Sequence, residues 1–321
     1  MKSNRCILVV SAFLLFRLAC AAAVFQENFS ADPATAGWIV YGDGNLFHWN
    51  STNQNMEVAW DSSRPNSYFY HPLGTTLAID DSFSLEFDLQ LKDVTVTGFF
   101  ELAIGLLNFS SATSTNFSRA NAASPNLFEL DYFPDGGFGP SIDATLADMT
   151  VSSTNTGDYY FAYDTLPLQP GVTYHVVLNH VAGSATISGT VSTNGRLYTS
   201  LPQVFAGPIT DFRLDTLSIS SYTSTDDPFG DSILAHGVVV NFAVTLPPAP
   251  IQNLTGAFRN GLWQTQFLSR SNWLYTLERT SDLHAWTEIS ADTAGLDGQL
   301  TLSDSNAPAF NAFYRIRAHR P

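Results

Sequence analysis

Phe83-Ser84-Leu85-Glu86-Phe87-Asp88-Leu89-Gln90-Leu91-Lys92 alternates apolar and polar side chains without a break. Successive residues of a β-strand point to opposite faces, so this run buries one face on a core and leaves the other wet. Tyr174–His180 and Ser184–Val191 read as further strands. Asn194-Gly195, between the latter and Arg196–Thr199, is the two-residue signal of a tight hairpin. No helix of ordinary length is predicted. Many short Ser/Thr-rich strands, with turn residues every ten or so positions, predict a sandwich or barrel. A first unit of roughly 220 residues is long for an immunoglobulin-like sandwich and predicts a jelly roll of two larger sheets.

The first residues predict an export signal. Lys2 and Arg5 precede a short apolar run, Ile7–Phe16, and Ala21-Ala22-Ala23 offers a small-residue cleavage site. Cys20 raises the alternative of a lipid anchor, but Arg17 stands where an apolar residue is wanted. The expected product is soluble and secreted or periplasmic, with no transmembrane segment. Both cysteines, Cys6 and Cys20, fall in the signal. A cysteine-free exported chain must be held by a large core, by metal, or by both. Of the 14 Lys and Arg residues, Lys2, Arg5 and Arg17 precede Val24. The remainder therefore sets 11 basic against 29 acidic residues, a net of −18. Such a surface argues against nucleic acid and polyanionic substrates and suits neutral glycans or cations.

Leu246-Pro247-Pro248-Ala249-Pro250 reads as a stiff linker. The chain is thus divided into a signal over 1–23, a jelly roll over 24–246, a linker over 247–251 and a small β-sandwich over 252–321.

Leu127-Phe128-Glu129-Leu130-Asp131-Tyr132-Phe133-Pro134-Asp135 begins as a strand and ends as a loop. Glu129, Asp131 and Phe133 share one strand face, and two neighbouring carboxylates repel unless a cation, a proton or solvent relieves them. The run resembles the metal-binding segment of legume-type, concanavalin-like lectins. That resemblance implies one calcium ion held by Glu129, Asp131, the carbonyl of Phe133 and Asp135, with Asp143 standing in for a further aspartate. Thr145 stands where the lectins have a histidine, so a two-metal site is not implied. The alternative for the same residues is a solvated acidic strand face.

Gly37-Trp38, Phe47-His48-Trp49 and Val58–Phe69 resemble the opening of concanavalin A-like, laminin-G-like jelly rolls of exported bacterial proteins. Ser232–Val244 is similar to their last strand, with Val240 where an aspartate is common. The tail from Trp273 to Arg317 resembles a small fibronectin-like β-sandwich module appended to exported proteins of Verrucomicrobia-like bacteria. The resemblance implies an all-β fold: a two-sheet jelly roll followed by that small sandwich.

Jelly rolls host lectins and polysaccharide-degrading enzymes alike, so activity has to be read from residues. Glucanases of this fold carry Glu-x-Asp-x-x-Glu on one strand. Here Glu129 and Asp131 are present, Pro134 stands where the second Glu belongs, and Asp135 comes one residue late. A hydrolase would have to use Glu129, Asp131 and Asp135. The favoured expectation is non-catalytic glycan binding or cell-surface interaction, and a purely structural surface module is the third reading. Among 24 Phe, 12 Tyr and 6 Trp, the candidates for a sugar-stacking surface are Trp38, Trp49, Trp60 and Tyr160, with Asn50 beside them.

Overall fold

The computed structural model describes residues 23–119, 124–135, 139–149, 159–160, 163–201, 209–225, 230–259, 261–308 and 312–321. Residues 1–22 of the expected export signal, Cys20 included, lie outside these residues. Among them, no helix is long and apolar enough to cross a membrane.

Two eight-stranded sheets, antiparallel throughout, form a jelly-roll sandwich. The first runs from Arg196–Leu201 through Ile187–Thr193, Thr173–His180, Phe83–Thr97, Ile233–Leu246 and Asn55–Asp61 to Phe47–Asn50. Ala23–Glu27 adds to it by pairing with Ile233–Leu246. The second runs from Tyr159–Tyr160 through Ser141–Ala147, Leu127–Phe133, Leu102–Leu107, Leu214–Ser221 and Ser67–Leu77 to Ile39–Tyr41. Tyr163–Thr165 also pairs with Ser141–Ala147.

The alternation seen in sequence sets the layers. Phe83, Leu85, Phe87, Leu89 and Leu91 are all buried, while Glu86, Asp88 and Gln90 between them keep contact with solvent. On the facing sheet Phe128, Leu130 and Tyr132 point inward, and the Phe83 and Phe128 rings meet edge to face at 4.9 Å. Each such side chain contributes about 1.5–3 kcal/mol by leaving water, which is how a fold without disulfides holds. The predicted hairpin is present: Asn194 and Gly195 both have positive φ, 51° and 69°, and Thr193 pairs with Arg196. Both positive angles match the twist of the flanking strands.

A second, smaller hydrophobic cluster is built from Phe267, Trp273, Tyr275, Leu277, Leu300, Leu302 and Ile316. It lies between a three-stranded sheet (Gln252–Arg259, Leu262–Leu268, Gln299–Asp304) and a four-stranded one centred on Leu274–Thr280.

The two units are clamped together by one buried carboxylate. Asp81, 1% exposed, pairs with both Arg270 and Arg320 of the smaller unit and also accepts the Ala78 amide. Arg270 donates to the Pro248 carbonyl at 3.2 Å, and the Tyr275 hydroxyl to that of Pro250 at 2.7 Å, so the linker is tied down as well. Removing one member of a buried ion pair strands the others and costs about 3 kcal/mol or more. Asp81→Ala should therefore let the C-terminal unit melt separately and earlier in calorimetry. An unchanged single transition would contradict the clamp.

Candidate functional site

Alternation sends Leu130 into the sandwich and sends Glu129 and Asp131 to the opposite face of the second sheet. Glu129 lies opposite Gly105 on one side and Thr145 on the other; Asp131 lies between Ala103 and Asp143. Gly105 is required there, because a Cβ at that position would collide with the Glu129 backbone and Cβ. The same face continues across Ser218 and Ser220 to Tyr70 and Tyr68.

This face is roofed. The chain from Asn108 to Arg119 crosses it, starting with a single helical turn at Phe109–Ala112. The Phe109 ring stacks on Tyr70 at 4.2 Å, the Tyr68 hydroxyl donates to the Ala112 carbonyl at 2.8 Å, and Phe117 packs on Tyr222 at 5.7 Å. Arg119 closes the roof over the carboxylates. Its guanidinium reaches Asp131 Oδ2 at 2.7 Å, Glu129 Oε1 at 3.2 Å and Glu101 Oε1 at 3.1 Å. All four side chains are between 0% and 6% exposed. Thr145 Oγ1 donates to Asp131 Oδ2 at 2.5 Å, and the Tyr222 hydroxyl to Glu129 Oε2 at 2.8 Å. Arg119 also stacks over the Tyr222 ring at 5.5 Å.

Three carboxyls pair with one guanidinium and Asp143 lies opposite Asp131, so protons must supply the remaining neutralisation in so dry a place. Burial pushes Asp143 up to about 8, with Asp131 adding to the rise. Burial pushes Glu101 up to about 7 against the pull of Arg119. Glu129 is driven well above the usual range by burial and then by Asp131. Asp131 rises by burial and is restrained by Arg119 and Thr145.

The residues put forward from sequence fall into distinct places. Glu129, Asp131 and Asp143 come together; Phe133 sits at the strand end, stacked on Phe99 at 5.3 Å, and Asp135 is exposed beyond it. Among the described residues no group of three or more His, Cys, Asp or Glu is arranged to hold a metal ion. Calcium takes six to eight oxygens, whereas here Asp131 Oδ2 and Glu129 Oε2 are committed to Arg119, Thr145 and Tyr222. The cation that Glu129 and Asp131 face in this structure is the Arg119 guanidinium. The same roof corrects the reading as a solvated strand face. It also removes Glu129 and Asp131 from the reach of a polysaccharide, so the hydrolase alternative has no accessible carboxyl pair on this strand.

The aromatic candidates are corrected too. Trp38 is 3% exposed and stacked on Phe69 at 4.7 Å, and Trp60 is fully buried. Trp49 is half-buried and donates its indole N–H to the Phe29 carbonyl at 2.9 Å. Asn50 caps a turn through the Thr52 and Asn53 amides. The Tyr160 side chain lies outside the described residues. Sequence reasoning missed Arg119, Glu101 and Tyr222. The one available signal was that Arg119 is an isolated cation in the Ser/Thr/Asn-rich stretch between two apolar strands.

No protein-family model matches the sequence, and no curated protein matches it either. Among solved structures, the chain is similar to the carbohydrate recognition domain of Emp47p (10% identity, TM-score 0.45, covering 70% of this chain and 97% of that one). It is also similar to peanut lectin (16%, 0.44, 71% and 99%) and to the alginate lyase Aly36B (8%, 0.41, 70% and 97%). At these identities none of them says what this chain binds.

Two outcomes follow from the closed cluster. Millimolar calcium or excess chelator should leave the melting temperature of the wild-type protein unchanged, while Arg119→Gln should lower it sharply. A chelator-induced drop in wild type would restore the metal. Because the folded chain holds protons here that the unfolded chain releases, its stability should fall as pH rises from about 5 towards 8. Each unit of upward shift is worth about 1.4 kcal/mol, and Asp143→Asn should flatten the slope in urea unfolding. A stability that climbs over that range would contradict the buried protons.

Proposed function

We propose that this protein is an exported, non-catalytic carbohydrate-binding protein, with Arg119 taking the neutralising part that calcium was expected to play. One observation carries the reading: the carboxyl pair of the lectin-like segment, Glu129 and Asp131, is sealed beneath the Asn108–Arg119 segment and tied to Arg119. General acid and base groups must touch the bond they cleave, and these touch only protein. The acid balance of −18 after residue 23 supports neutral rather than anionic glycans as partners. It disfavours polyanion-cleaving chemistry, which needs cations to hold its substrate; Lys92 is the single lysine of the jelly-roll unit.

Affinity electrophoresis through gels containing neutral polysaccharides, paired with a reducing-end assay, tests this. Retardation by at least one neutral polysaccharide without release of reducing ends is expected. Release of reducing ends that disappears in Glu129→Gln would overturn the non-catalytic reading.

A further inference from the structure

A cleft of about 610 Å³ opens where the two units meet. The jelly roll supplies Tyr70, Thr75, Phe109 and Asp215, the linker Ile251, and the C-terminal sandwich Trp273. The Tyr70 and Phe109 rings lie nearly parallel, 27° apart, and both keep part of their surface exposed. Asp215 is fixed rather than free: it accepts from Asn108 Nδ2 at 3.2 Å, the Phe109 amide at 3.0 Å and Thr216 Oγ1 at 2.8 Å. Trp273 is 95% removed from solvent, and its indole Nε1 has no hydrogen-bond partner.

The cleft is also held in shape. Arg320 pairs with Asp81, donates through Nε to the carbonyl of Thr76 on the cleft wall at 3.3 Å, and lies over the Trp273 ring at 4.7 Å. One side chain thus fixes the seam between the units, a wall residue and the tryptophan. Sites that need no reorganisation lose less on binding.

We infer that this interdomain cleft is the carbohydrate site and that it takes a short neutral glycan segment. The inference rests on the binding reading given above and goes further by assigning a place to it. Its volume falls in the range of pockets that enclose small ligands. A pyranose ring presents an apolar C–H face to aromatic rings and hydroxyls to Asp215 and Thr75. The carboxylate of Asp215 turns away acidic sugars. The site is composite, so neither unit forms it alone.

The test titrates the mature full-length protein with laminarin, galactomannan, soluble starch and, as an anionic control, alginate, followed by calorimetry and tryptophan fluorescence. Thr75→Trp fills the cleft, and Tyr70→Ala trims its stacked wall; thermal melts confirm that each variant is folded. At least one neutral polysaccharide should bind, and both variants should weaken it tenfold or more, with no binding of alginate. Wild-type binding that both folded variants retain would overturn the cleft assignment while leaving the binding reading intact. Failure of every neutral polysaccharide to bind wild type would overturn both.

Discussion

Arg119 within its ring of carboxyls is the interaction on which the reading of this molecule turns. A jelly roll places one sheet face against the other sheet and must do something with the outer face. Here that face carries Glu129, Asp131 and Asp143, which in water would be an acidic groove. A single guanidinium delivered by the crossing segment converts it into sealed interior. Arginine suits the task because its planar fork donates to several oxygens at once and never loses its charge. Buried ion clusters are poor stabilisers compared with apolar packing. The cluster's consequence is specificity: the Asn108–Arg119 segment has one place to lie, and what would have been an open groove is closed.

Closing that groove shifts where a ligand can approach. Phe109 belongs both to the roof and to the wall of the interdomain cleft. The segment that seals the carboxyls therefore also shapes the cleft, and Asp81, through Arg270 and Arg320, sets the opposite wall. The small C-terminal sandwich is on this account more than an appendage, since Trp273 belongs to its core and to the cleft alike.

Much of the fold was legible because period-two patterning is local. Phe83–Lys92 alternates in sequence and alternates in burial, and Asn194-Gly195 made its turn. The site was legible only in part. That Glu129 and Asp131 share a face follows from the strand period. That Arg119, on a segment without periodicity, would lie over them does not. A partner fixed by loop path leaves no spacing signal, so the lectin-like pattern suggested a metal where the chain brings its own cation. Trp38 and Trp60 misled for a related reason: an aromatic residue looks the same in sequence whether it faces a sugar or a second sheet. The interdomain cleft could not be seen at all, because its walls come from segments distant in sequence that are brought together by contacts such as the Asp81 clamp.

A crystal structure of the mature protein grown in millimolar calcium tests the central claim most directly. The account predicts the Arg119 guanidinium between Glu101, Glu129 and Asp131, with no cation density among the carboxyls. A calcium ion bound by Glu129 and Asp131, with Arg119 turned away, would contradict it.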